Sequence, residues 1–303
     1  MFIIKHKKVF LTISSLLVLG SIVLLSVFGL KFGIDFKGGA QLEAGYETRP
    51  SAEVIRASIE KLDIGEALIQ PAGEKDFSIK TRDLTEAEHQ ALLKALTVDG
   101  KYKVEEKSFS SIGPSVGKEL ARKAIIALIL VSLGIVFFIA YAFRKASYPV
   151  SSWKYGFIAI ITLLHDVAIP VGLFTLLSHY AGAEVDTLFV VAVLTVLGLS
   201  VSDTIVVFDR IRENLRTHAG EQFDAIVGRS IKQTYTRSIN TSLTVILALL
   251  ALLFFGPEST RYFSLILVVG MFFGTYSSIF LASPMLVIAE KMQATKQAHH
   301  KKK

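Results

Sequence analysis

Residues 9–30 read VFLTISSLLVLGSIVLLSVFGL, without one charged side chain. A helix needs about 20 apolar residues to cross a hydrocarbon core of about 30 Å, so this run predicts a membrane span. Lys5, Lys7 and Lys8 precede it, as the basic start of a signal peptide would. The run is longer than the roughly 7–15 residues of a signal core, and no A-x-A-like cleavage site follows, so it reads as an uncleaved anchor. Five more apolar stretches follow, at about 124–143, 155–178, 187–208, 238–256 and 262–289. The expected architecture is a six-helix membrane bundle: helix one in residues 1–30, a soluble insert at 31–123, helices two to six in 124–289, and a basic tail at 290–303.

Composition fits that division. The chain is 51% apolar yet 19% charged, with mean hydropathy +0.51; a soluble domain of similar apolar content carries about 25% charge. Cysteine is absent, which excludes a disulfide scaffold, a thiol nucleophile and thiolate metal sites.

The net charge of +7 reads mostly as a topology signal. With the N-terminus inside, the cytoplasmic segments are 1–8, 144–154, 209–237 and 290–303, holding 3, 3, 6 and 5 Lys and Arg. The short outer loops, 179–186 and 257–261, hold none and one (Arg261). That bias predicts both termini in the cytoplasm. No nucleic-acid partner is needed to explain the basic balance. Trp153 and Tyr155 fall at one predicted boundary, where interfacial aromatics belong. The tail, with His299, His300 and Lys301 to Lys303, is a solvated end or a contact for anionic lipid.

The insert alternates element types. Strands are expected at 40–46, 66–71, 76–82 and 101–110, and helices at 51–62 and 85–96. Ser51 caps the first helix, and Thr85 with Glu88 forms a capping box on the second. The order β-α-β-β-α-β is that of an α+β ferredoxin-like split fold. No nucleophile–base pair stands out in it.

Function is expected instead among polar residues inside the spans, which are costly there and usually face a bundle interior. In the fourth span Ser200, Asp203 and Thr204 fall at i, i+3 and i+4 and share a face, with Ser202 beside Asp203. Asp203 lies six residues before Asp209, about 9 Å inside the cytoplasmic edge. A carboxylate at a helix centre costs roughly 2.5–3.5 kcal/mol. In the fifth span Arg237, Asn240, Thr241 and Thr244 are expected on one face. His165 and Asp166 stand in the third span. Gly270, Gly274, Ser277 and Ser278 in the sixth suit close helix packing. Together these residues suggest a polar seam, and an acid with a mobile cationic partner in such a seam can relay protons. Residues 222–235, with Phe223, Ile226, Val227 and Ile231 opposite Arg229 and Lys232, read as an interfacial amphipathic helix.

Several motifs extend this reading: GIDFKGG at 33–39, LLHDV at 163–167, SDTIVVFDRIREN at 202–214, RSINTS at 237–242 and GTYSSIFLASPML at 274–286. On these the chain resembles the smaller members of the SecD/SecF family, within the resistance-nodulation-division superfamily, over nearly its whole length. One departure is Ser202, where many members carry Asn. The resemblance implies a multi-pass protein of the bacterial inner membrane that pairs with SecD, associates with the SecYEG channel and YajC, and follows the SecA ATPase in moving preprotein. It implies use of the proton-motive force, with no cofactor and with Na⁺ as the alternative ion. It implies that Asp203 carries the proton, that Arg237 interacts with it, and that Asp35, Gly38 and Gly39 couple the external domain to the bundle. The alternatives are a small-molecule exporter of the same superfamily, which usually carries two large external domains, or a passive scaffold. The sequence has no phosphate loop, metal-ligand spacing or triad pattern to support an enzyme.

Overall fold

The computed structural model describes residues 2–143, 150–218 and 220–300. After a helical turn at Phe2–Lys5 come α1 (Lys7–Phe28), α2 (Ile34–Lys37), β1 (Gly39–Tyr46), α3 (Ala52–Ile59), β2 (Leu68–Ala72), β3 (Asp76–Thr81), α4 (Glu86–Leu96), β4 (Val104–Ile112) and α5 (Pro114–Ala142). Then follow α6 (Ser152–Tyr180), α7 (Thr187–Thr217), α8 (Phe223–Phe255), a 3₁₀ turn at Glu258–Thr260, α9 (Arg261–Ser277), a π turn at Ser278–Ala282 and α10 (Ser283–His300). Residues 144–149 of the predicted cytoplasmic loop 144–154 and the tail residues Lys301 to Lys303 lie outside the described residues. The chain divides into two compact units, one of residues 1–30, 127–183 and 188–303, the other of residues 31–126 and 184–187.

The smaller unit has a four-stranded antiparallel sheet of order β2-β3-β1-β4, the ferredoxin-like arrangement. Its register explains the core. Leu42 lies between Ile79 and Phe109, and Ala44 opposite Phe77. Because strand side chains alternate, these residues share one face. They meet Ile55 and Ile59 of α3 and Leu92 and Leu96 of α4. Strand β4 begins later than the sequence pattern placed it: Tyr102 precedes the strand yet packs on the same core.

Thr85 and Glu88 form the expected capping box on α4. Glu88 also pairs with Arg82. The Arg82 guanidinium, with the backbone and hydroxyl of Thr85, holds the Glu88 carboxyl down from 4.5 to about 2.

The unit also takes in residues 184–187, which the sequence reading placed in an outer loop. Phe32 bridges to Val185 in parallel. Gly33 N–H donates to Val185 O at 2.9 Å, and Val185 N–H donates to Lys31 O at 2.7 Å. Lys80 pairs with Glu184 at 2.9 Å. Asp35 stands in the short helix α2 and accepts from the Thr187 N–H at 2.8 Å. Gly38 and Gly39 follow with φ of 81° and 133°. A Cβ on Gly38 would lie 2.8 Å from Pro114 Cα, and one on Gly39 would lie 2.8 Å from Thr81 O. Both positions therefore need glycine for backbone conformation and for space.

Six helical segments are long and apolar enough to cross a membrane: Lys7–Phe28, Pro114–Ala142, Trp153–Tyr180, Thr187–Thr217, Phe223–Phe255 and Glu258–Gln293; residues 127–142 of the second and 188–217 of the fourth fall in the larger unit with the other four. The third, fourth and sixth are the most buried and form its centre. The other three leave large apolar side chains outward, among them Leu16, Phe137 and Phe255, which lipid solvates as readily as protein does.

The structure corrects the reading of 222–235. This segment is the first part of the continuous helix α8, with no breaker to end it. Phe223, Val227 and Ile231 enter the main buried cluster with Val207, Phe208 and Ile211 of α7. The apolar face is covered by protein rather than laid on the membrane surface. Asn214 fastens it, donating to Ser230 Oγ and Gln233 Oε1, each at 2.8 Å.

The lowered pKa of Glu88 gives a signed pH dependence. Its contribution to folding is fully present above the unfolded value near 4.5 and is lost as pH falls through about 2. Amide-exchange protection of α4, corrected for intrinsic rates, should fall across that window. Glu88→Gln should remove the Glu88 share of that dependence; an unchanged acid profile in the variant would contradict the assignment.

Candidate functional site

Asp166 and Asp203 are the carboxylates set among the apolar stretches of the spans, one helical turn apart in their dealings with α7. Asp166, on α6, has no exposed surface. Its Oδ1 is 2.7 Å from His165 Nδ1. Its Oδ2 accepts from Ser277 Oγ of α9 at 2.7 Å and from Ser200 Oγ of α7. The cluster therefore joins three helices. His165 is buried, its Nε2 has no hydrogen-bond partner among the described residues, and its ring stacks on Tyr276.

Small residues make this approach possible. A Cβ on Gly274 would lie 3.1 Å from Ser200 Cβ, and one on Gly270 would collide with Val196. The expectation that Gly270 and Gly274 serve packing thus has a specific geometry: they bring α9 near enough for Ser277 to reach Asp166. Ser277, expected only to help packing, is a ligand of the acid. Thr204 meets Ser278 at 2.9 Å. The π turn begins at Ser278, whose carbonyl accepts from Ser283 Oγ at 2.9 Å.

Asp203 is set differently. It is half-buried, and its Oδ2 accepts from Thr275 Oγ1 of α9 at 3.1 Å. Thr275 is hydrogen-bonded in turn to Ser242 of α8. Arg237 belongs to the field around Asp203, but among the described residues the two form no ion pair. Arg237 is exposed and lines a cleft of about 140 Å³ with Asp209, Arg210, Glu213 and Gln233.

The fifth-span face also needs correction. Asn240, Thr241 and Thr244 are exposed, as is Ser202 on α7, so none of the four joins the inner seam. In this part of α8 the inward polar residues are Ser238 and Ser242, which occupy i and i+4. Since neighbouring helix positions point about 100° apart, placing the stripe one residue off turns it outward. Ser238 and Ser242 are missed for this reason; the i, i+4 serine pair is the available signal.

The helix bundle, its buried carboxylates and one ferredoxin-like domain define a multi-pass membrane protein with titratable groups in its interior. Comparison with known proteins narrows the class. Residues 92–292 match the family described as protein export membrane protein SecD/SecF, C-terminal, and residues 23–48 match the SecD/SecF GG motif. The chain is 43% identical over 300 residues to the protein translocase subunit SecF of Thermobaculum terrenum, covering 94% of this chain and 92% of that one. It is 34% identical to the protein translocase subunit SecDF of Bacillus subtilis, over 91% of this chain and 36% of that one. It superimposes with a TM-score of 0.80, at 32% identity, on the crystal structure of SecDF from Thermus thermophilus, a translocon-associated membrane protein. There it covers 94% of its own length and 38% of the SecDF chain, so it corresponds to one part of that longer protein.

The chain belongs to the SecD/SecF family of protein export membrane proteins. It is a multi-pass protein of the bacterial inner membrane, and its role is accessory to Sec protein translocation.

The hydroxyl contacts of Asp166 are open to test. Ser277→Ala should lower the stability of the purified protein by roughly 1–2 kcal/mol, the scale for a lost polar contact between membrane helices that leaves a buried acceptor short. Ser202→Ala, on the outside, should change it by less than about 0.5 kcal/mol. Equal effects in a denaturation series would contradict the placement.

Proposed function

We propose that this chain is the SecF half of a SecD–SecF pair and that Asp203 is its proton-carrying group. The observation that carries the reading is the setting of Asp203. It is a half-buried carboxyl within the span Thr187–Thr217, bonded by the Thr275 hydroxyl, with the Ser238 and Ser242 hydroxyls beside it. Burial favours the neutral form of a carboxyl, and a nearby guanidinium favours the ionised form. Arg237 cannot usefully lose its own proton, so it acts as the movable counter-charge, leaving its cleft beside Asp209 and Glu213 to approach Asp203. Each approach releases a proton and each retreat permits uptake. Alternation between the two states couples proton flow to helix movement.

The outward positions of Ser202, Asn240, Thr241 and Arg237 suit a second polar half supplied by SecD. The Lys and Arg bias of the loops supports cytoplasmic termini. Asp35, Gly38 and Gly39 act as the coupling segment: residues 31–37 follow α1 in the chain, residues 184–187 precede α7, and Asp35 ties the two segments together. SecYEG, YajC, SecA and the translocating preprotein are the partners this role implies. The chain itself performs no covalent chemistry and needs no cofactor; a proton is the transported ion, with Na⁺ the alternative.

Asp203→Asn, in vesicles carrying the complete translocase, should abolish gradient-stimulated preprotein export while leaving ATP-driven initiation intact. Undiminished stimulation in that variant would refute the assignment of Asp203.

A further inference from the structure

One cleft of the larger unit lies apart from both carboxylates. It has a volume of about 410 Å³ and is walled by Leu11 of α1, Phe157 and Ile158 of α6, and Met285, Ile288 and Met292 along α10, with Lys154 at its edge. That volume lies within the roughly 300–1,000 Å³ of small-molecule sites. Its walls are apolar and include two methionines, whose unbranched chains adapt to an irregular ligand.

The charge around it is unbalanced. Lys154 is half-buried, and its Nζ donates to Ala289 O at 2.8 Å. Among the described residues it meets no carboxylate. Lys8 is exposed, stands three positions before Leu11 on the same helix, and likewise has no acidic partner among the described residues. By contrast, Lys7 and Lys291 share Asp224, at 3.9 and 2.9 Å, and Glu290 lies in the field of Lys291. A half-buried cation normally has an anion beside it, because leaving water is costly when no partner replaces it. Lys154 also stands in the first turn of α6, where the free N–H groups favour negative charge. Trp153, its neighbour, is 84% exposed, as an aromatic at the lipid headgroup level would be.

We propose that this cleft binds an anionic phospholipid, with one acyl chain along Leu11, Ile158, Met285 and Ile288 and the headgroup phosphate on Lys154. An apolar groove ending at an uncompensated cation matches an amphiphile with one negative charge at its head. A zwitterionic lipid would fill the groove but bring no net charge to Lys154. A soluble anion would satisfy the lysine but leave the groove unused.

Trp153 is the single tryptophan of the chain and, next to Lys154 in sequence, reports without a label on lipid that gathers at this edge. The full-length protein is reconstituted in phosphatidylcholine vesicles containing increasing fractions of either phosphatidylglycerol or phosphatidylcholine with brominated acyl chains, which quench tryptophan on contact. Brominated phosphatidylglycerol should reach half-maximal quenching at about one-fifth the mole fraction of brominated phosphatidylcholine, the factor expected for one basic residue at an anionic surface. Lys154→Gln should bring the two lipids close to equality. Ala289→Phe, which narrows the groove and keeps the lysine, should do the same, and it tests the site should the first variant fail to assemble. Equal quenching by both lipids in the unaltered chain would overturn the proposal. So would a preference that survives Ala289→Phe, which would mean diffuse surface attraction, or one that vanishes when SecD is bound, which would mean that a protein helix occupies the groove.

Discussion

Asp166 sits without exposed surface in a segment read as crossing lipid, and its two oxygens are met by His165, Ser200 and Ser277. A carboxyl in such a place is costly unless its hydrogen-bonding capacity is filled, so the helices that fill it cannot drift apart. Much of the bundle centre follows from that requirement. Helix α9 must come close to α7, which is why Gly270 and Gly274 stand where a Cβ would strike Val196 or crowd Ser200. The π turn begins directly after Ser277, where the helix has just met this polar contact. The helices that take no part, α1 and α5, remain largely outside, as their apolar surfaces can in lipid.

Asp203 lies one turn further along α7 under a looser constraint. The Thr275 hydroxyl is divided between this carboxyl and Ser242, and Asp203 retains exposed surface. The two acids therefore suit different tasks. Asp166 has its oxygens committed on several sides, so any change there disturbs three helices at once. Asp203 can change its charge with little more than a hydroxyl rotation and the movement of an exposed arginine. In the proposed mechanism this difference separates the fastening of the bundle from the exchange of the proton.

Legibility from the sequence followed the strength of each physical signal. The six spans were readable because lipid demands long uncharged runs, and the ferredoxin-like order because Thr85, Glu88 and the alternating strand residues mark their elements locally. Asp203 and Asp166 were visible because charge within such runs is rare. Their partners were harder to read. Helical periodicity gave stripes on α8 without fixing which one faces inward, and the choice of Asn240 and Thr241 over Ser238 and Ser242 was wrong by about one residue's rotation. The segment at 222–235 misled for a related reason: an apolar face looks the same whether lipid or protein covers it, and only the clasp of Asn214 on Ser230 and Gln233 distinguishes them. The addition of residues 184–187 to the small domain left no sequence pattern, because it rests on backbone bonds with residues 31–33.

The central claim is that Asp203 gains and loses a proton within the bundle. Infrared difference spectroscopy of the SecD-paired protein in bilayers, recorded as pH is stepped, tests it most directly. The account predicts a protonated-carboxyl band that comes and goes with pH and is missing from Asp203→Asn. A carboxyl signal indifferent to pH, or one unchanged in that variant, would contradict it.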